Sequence, residues 1–87
     1  MTETVKVIIP AYNEAKSIGK VIKALPSFVN EIIVVDNCST DETAIIAQKL
    51  EATVLKEIKS GYGNACLKGV NYINEQKTRT DIVVFID

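Results

Sequence analysis

Three segments of this 87-residue chain place polar or turn-forming residues directly after apolar runs. Val5-Lys6-Val7-Ile8-Ile9 leads into Pro10-Ala11-Tyr12-Asn13-Glu14. Ile32-Ile33-Val34-Val35 leads into Asp36-Asn37-Cys38-Ser39-Thr40-Asp41, and Ile82-Val83-Val84-Phe85-Ile86 into Asp87. Short, nearly continuous apolar runs are the pattern of strands buried on both faces. Open α/β sheets bind ligands outside the carboxyl ends of such strands. The three tips therefore converge on one sheet edge and predict a small-ligand site.

Each tip has its own chemistry. Tyr12 offers an aromatic wall for a base, with Asn13 and Glu14 as polar contacts. The same segment also serves as a strand-to-helix turn, with Asn13 as N-cap and Glu14 complementing the helix dipole. Asp36 can accept hydrogen bonds from ribose hydroxyls or a base N–H, or close onto backbone N–H groups of its own turn. Asp41 and Glu42 read as helix-cap residues. Asp87 is either an ordinary polar residue or a ligand for a divalent cation that neutralises a diphosphate. That task normally takes two carboxylates, and one stands here. Gly61-Tyr62-Gly63 precedes a helix. It either lets backbone approach a phosphate or is a flexible lead-in loop. It is no dinucleotide fingerprint, since position 66 would have to be glycine and is Cys66. Cys38 and Cys66 read as structural.

The elements that must carry these tips follow from periodicity. Ile18, Val21, Ile22 and Leu25 mark one face of a helix that Pro26 stops. Ser39 and Glu42 have the spacing of a capping box ahead of Ile46, Ala47 and Leu50. Thr53-Val54-Leu55 is a short third strand. A third helix presents Cys66, Gly69, Val70 and Ile73 inward, with Gly69 allowing close helix–sheet packing. The order β-α-β-α-β-α-β predicts one α/β domain over 1–87, an open parallel sheet with helices on both faces. A natural α/β domain rarely ends on a functional carboxylate, so we expect a truncated chain.

Composition narrows the function. With 47% hydrophobic and 24% charged residues and a net charge of -1, the chain is globular. Its scattered Lys and Arg argue against a nucleic-acid partner. No run is long enough for a membrane segment. Two cysteines fit reduced thiols and a cytoplasmic location. The absence of histidine excludes a Ser-His-Asp or Cys-His site within this chain.

The three tips and the Gly61-Tyr62-Gly63-Asn64-Ala65 segment, in this order and spacing, resemble the N-terminal half of an inverting family 2 glycosyltransferase of the GT-A fold. The glycine segment, with Gly69 after it, is similar to that of dolichyl- and polyprenyl-phosphate sugar transferases. The resemblance covers nearly the whole chain and implies the strand order 3-2-1-4. It implies a nucleoside-diphosphate sugar as donor and a polyprenyl phosphate or a saccharide as acceptor. Pro10, Ala11, Tyr12 and Glu14 would line the nucleotide pocket, and Asp36 would contact base or ribose. Asn37 stands where many relatives carry a second Asp, which alters that contact, and Gly61 would approach the donor. Asp87 would begin the Asp-X-Asp motif that holds Mg²⁺ or Mn²⁺. The catalytic base is expected beyond Asp87, and the complete enzyme at the cytoplasmic membrane face. This fragment alone is then expected to be inactive, and its fourth strand to self-associate. The rival reading is a non-catalytic nucleotide-binding or receiver-like regulatory module with Asp36 as phosphoacceptor. The acidic pair such modules use after the first strand is absent. A nucleotidyltransferase would place a Gly-rich, basic loop there, also absent.

Overall fold

A computed structural model describes residues 3–87. The chain runs β1 (Val5–Ala11), α1 (Ile18–Ala24), β2 (Glu31–Asp36), α2 (Thr43–Lys49), β3 (Thr53–Lys56), α3 (Tyr62–Glu75) and β4 (Ile82–Phe85). The strands form one parallel sheet in the order β3-β2-β1-β4. This is the expected architecture, with β1 and β4 side by side.

All seven residues of β1 are buried, and alternation divides them between two cores. Val7, Ile9 and Ala11 pack with Val34 against Ile18 and Ile22 of α1 and Ala47 of α2. Ile8 packs with Ile33 and Val35 against Ala65 and Ile73 of α3. Full burial of each such aliphatic side chain contributes about 1.5–3 kcal/mol. Helix α1 ends at Ala24 because Leu25, ahead of Pro26, is extended with ψ 142°. The buried stripe of α3 is Ala65, Gly69 and Ile73, so Cys66 lies beside the expected inner face and is half-buried. Gly69 lets α3 settle on β1. A Cβ there would stand 2.8 Å from Ile8 Cγ2 and 2.9 Å from Ile8 Cδ1.

Strand β1 runs through Pro10 to Ala11, further than its apolar run implied. Its odd-numbered residues turn their backbone groups to β2, since the Val5 and Ala11 carbonyls accept from the Asn30 and Asn37 N–H groups. Its even-numbered residues turn theirs to β4, as the Ile8 carbonyl does in accepting from the Ile86 N–H at 3.0 Å. Pairing with β2 continues to Ala11↔Asp36, whereas pairing with β4 stops at Ile8↔Phe85.

At the opposite edge of the sheet a polar cluster ties α3 to the strands. The Lys6 ammonium, 4% exposed, donates to Gln76 Oε1 and Thr78 Oγ1 and lies 3.6 Å from the Glu31 carboxylate. Glu31 also accepts from the Tyr72 hydroxyl at 2.7 Å, the Thr53 hydroxyl at 2.8 Å and the Gln76 amide at 3.2 Å. Burial pushes the Glu31 carboxyl upward, but these bonds and the Lys6 charge outweigh it and hold the group below its ordinary range.

Candidate functional site

The loop after β1 is stitched to the tip of β2. Asn13 adopts φ 50°, and its N–H donates to Ser39 Oγ at 2.9 Å. Its Oδ1 accepts from the Thr40 N–H at 2.8 Å. The Glu14 N–H donates to Thr43 Oγ1 at 2.8 Å and the Ala15 N–H to Asp41 Oδ2 at 3.2 Å. Asn13 is therefore a strap between strand tips, not an N-cap, and α1 starts later, at Ile18. The capping box does not form either. Ser39 is engaged by Asn13, and Glu42 takes the N-cap position of α2 without a side-chain bond. Asp41 caps instead, accepting from the Thr43 N–H at 3.0 Å and from the fully buried Thr43 hydroxyl. That hydroxyl and the N–H groups around it hold the Asp41 carboxyl below its usual range.

A cavity of about 540 Å³ opens at the carboxyl ends of β1 and β4, lined by Pro10, Ala11, Tyr12, Glu14, Asn37, Tyr62 and Asp87. The register that pairs Ile8 with Phe85 carries Asp87 level with Pro10. Tyr12 and Tyr62 stand at the cavity 60% and 54% exposed, two aromatic faces without a packing obligation. The charged side chains in the lining are Glu14 and Asp87, and neither Lys nor Arg takes part.

Of the ligand contacts singled out in sequence, Asn13, Asp36 and Gly61 are not in that lining. Asp36 is buried, and its Oδ1 accepts from the Ser39 N–H at 3.2 Å, closing its own turn. With Cys38, Ser39, Lys56, Glu57 and Ile58 it borders a smaller neighbouring cavity of about 230 Å³. Gly61 has φ 121°, a conformation that excludes a side chain, and its N–H donates to Asn37 Oδ1 at 2.8 Å.

Tyr62 is the site residue that sequence reasoning missed. The signal was present, an aromatic between two glycines at a helix start, but the glycines drew the attention. The neighbouring Cys66 thiol and Asp87 carboxylate, with burial, push the Tyr62 phenol up to about 12. The phenol therefore stays protonated at neutral pH.

A divalent cation fits this lining in part. Mg²⁺ and Mn²⁺ favour oxygen ligands, and Mg²⁺ is commonly held by one or two carboxylates together with phosphate and water. Asp87 supplies one such carboxylate at the cavity, and the lining has no basic side chain to neutralise a phosphate in the ion's place. Among the described residues no group of three or more potential ligand side chains forms a cage of its own.

An open parallel sheet with an aromatic and acidic cavity between its first and fourth strands defines a ligand-binding α/β domain of the doubly wound class. The chain belongs to glycosyl transferase family 2, whose profile matches residues 6–87. It is 39% identical to an uncharacterised glycosyltransferase of Mycobacterium tuberculosis over 98% of this chain and 36% of that protein. It is 38% identical to the 4,4'-diaponeurosporenoate glycosyltransferase of Staphylococcus haemolyticus over 99% of this chain and 24% of that one. Glucosyl-3-phosphoglycerate synthase of M. tuberculosis, solved with Mn²⁺, UDP and glucosyl-3-phosphoglycerate, matches with a TM-score of 0.80 at 34% identity. That match covers 99% of this chain and 33% of the synthase. The chain thus spans between 24% and 36% of the length of these relatives.

Proposed function

We propose that residues 1–87 form the N-terminal, nucleotide-sugar-binding part of a glycosyltransferase. The whole enzyme moves a sugar from a nucleoside-diphosphate donor to an acceptor with inversion. The observation that carries this reading is the convergence of Tyr12, Glu14 and Asp87 on one cavity at the strand tips. Support comes from a solved relative of the same fold, which holds UDP and Mn²⁺.

Each residue then has a task. Tyr12 offers its ring to the base and Glu14 accepts from a base or ribose donor. Pro10 and Ala11 form a floor of backbone and small side chains. Asp87 would hold Mg²⁺ or Mn²⁺, which when bound supplies the positive charge that stabilises a leaving diphosphate. Tyr62 offers a second aromatic face at the same cavity. Asp36, 6% exposed and closed onto Ser39, is poorly placed for the phosphoacceptor role of a receiver-like module.

The acceptor belongs to the proposal as well. Glucosyl-3-phosphoglycerate synthase was also solved with phosphoglyceric acid, and the staphylococcal relative's name likewise specifies an organic acid. A polyprenyl phosphate is likewise an anionic acceptor, and its own attacking phosphate oxygen needs little help from a base. A cytoplasmic location rests on the free thiols Cys38 and Cys66. Among the described residues no helix is long and apolar enough to cross a membrane.

Titration with UDP tests the reading. UDP is expected to shift the Tyr12 and Asn37 resonances of the chain. Tyr12→Ala should weaken binding about tenfold, since base–aromatic stacking contributes about 1–3 kcal/mol. Asp87→Asn should remove whatever affinity Mn²⁺ adds. A chain indifferent to UDP, or a Tyr12→Ala variant that binds as well as wild type, would show the cavity to be something else.

Self-association through β4 is a separate part of the proposal. β4 is the end strand, and Ile82, Val83, Val84 and Phe85 are 41%, 38%, 39% and 44% exposed. An apolar edge strand templates pairing with another chain. Sedimentation velocity should show concentration-dependent dimers or larger species, and Val84→Lys should restore the monomer. A wild-type monomer at every concentration would rule the edge out.

A further inference from the structure

The geometry points to Asn37 as a positioning residue that fixes the β3–α3 loop, and through it Tyr62, at the cavity. The resemblance implied an altered ligand contact for this side chain, and this inference rests on the nucleotide reading above. The structure shows where the amide is spent. Nδ2 donates to the Glu57 carbonyl at 3.0 Å and to the Lys59 carbonyl at 2.8 Å. Oδ1 accepts from the Gly61 N–H at 2.8 Å. A primary amide has two hydrogens, so both donors are consumed. Two carbonyls at one end and an N–H at the other also fix which end is which. The side chain is 7% exposed, and its own N–H is anchored on the Ala11 carbonyl at 2.8 Å. One residue thus ties the tip of β2 to β1 on one side and to residues 57–61 on the other.

Beside Asn37, the loop is held at its start by the Glu57 N–H on the Asp36 carbonyl at 3.0 Å and by the Cys38 thiol on the Glu57 and Ile58 carbonyls. Asn37 alone also grips Lys59 and Gly61 across from β2. Ile58 is 88% exposed, and Gly61 sits at φ 121°, a single irregular residue before α3 begins at Tyr62. Releasing Glu57, Lys59 and Gly61 together frees the residues that deliver Tyr62 to the cavity. The amide is also chemically specific. An aspartate of the same shape still accepts from Gly61, but it turns a carboxylate oxygen toward two carbonyl oxygens. A buried charge facing acceptors is strongly disfavoured, so the loop must move away.

Asn37→Asp and Asn37→Ala test this in the isotope-labelled chain, with two readouts on each sample. In both variants the Gly61 amide is expected to exchange at least tenfold faster than in wild type, while the core amides of Ile8 and Ile33 keep their protection. UDP affinity, measured with Mn²⁺ present, should fall at least tenfold. Gly61→Ala, which keeps Asn37 but cannot hold the loop's backbone conformation, should lose UDP affinity similarly. An unchanged Gly61 exchange rate in both Asn37 variants overturns the inference. So does fast exchange at Gly61 with UDP affinity within twofold of wild type, since the loop would then not serve the cavity. A wild-type chain that binds no UDP sinks the nucleotide reading instead, and the Gly61 exchange rate then decides the strut by itself.

Discussion

Gly69→Val should destabilise the fold by about 3 kcal/mol, because overpacking a well-filled core costs about 1–3 kcal/mol and a second branch adds to it. The obstacle is specific. A Cβ at position 69 meets Ile8 Cγ2 at 2.8 Å and Cδ1 at 2.9 Å, and Ile8 is fully buried in the central strand. A β-branched side chain held by its own strand has few rotamers to retreat into. Gly69→Ala gains helix propensity of up to about 1 kcal/mol and still loses overall by about 1 kcal/mol. Gly63, in the same helix, has no atom within 4 Å of an added Cβ. There the propensity gain stands alone, and Gly63→Ala should stabilise by about 0.5 kcal/mol. Urea midpoints at constant m-value separate the two glycines by sign. Destabilisation at both positions, or at neither, would mean that α3 does not rest on Ile8 as described.

The second large effect lies at the opposite edge of the sheet and is asymmetric. Glu31→Ala is expected to cost about 3 kcal/mol, because it strips the counter-charge from a buried ammonium. Lys6→Met should cost only about 1 kcal/mol, since the apolar stem is replaced in kind. Glu31, 21% exposed at its side chain, keeps Tyr72, Thr53 and Gln76 as donors. Acid gives a second view of the same pair. The Glu31 carboxyl titrates below its ordinary value of 4.5 in the folded chain, so its contribution is present above that value. It is lost as pH falls through the lower, folded value. Stability measured between pH 5 and pH 3 should therefore decline more steeply in wild type than in Glu31→Gln. Equal costs for the two substitutions, or parallel acid limbs, would dissolve the asymmetry.

The large-scale plan was legible in the residues. Continuous apolar runs marked the strands, and alternation with helical stripes marked a parallel sheet. The strand order came from the family resemblance, because pairing partners leave no local trace in one sequence. What escaped was tertiary. Ser39 and Glu42 have capping-box spacing, but Asn13, far along the chain, takes the Ser39 hydroxyl. Cys66 and Ala65 are neighbours on a helical wheel, and only contact with Ile8 and Ile33 shows that Ala65 faces inward. Asp36 and Asn37 looked like a pair of ligand contacts. Their hydrogen bonds, to Ser39 in one case and to the 57–61 loop in the other, depend on where β3 and its following loop lie. Tyr62 shares a cavity with Asp87 only because α3 begins at the carboxyl ends of the strands.

Pro10 is an even-numbered residue of β1 and therefore turns its nitrogen toward β4. That nitrogen carries no hydrogen. With an ordinary amide there, the ladder to β4 would have a donor one step beyond Ile8↔Phe85, and the two strands could zip onward toward Asp87. Without that proton the β4 ladder ends at Ile8↔Phe85, while the β2 ladder runs on to Ala11↔Asp36. The missing rung beneath the cavity is thus a property of the main chain. The side chains lining the cavity can therefore be exchanged without adding a rung to the ladder beneath them.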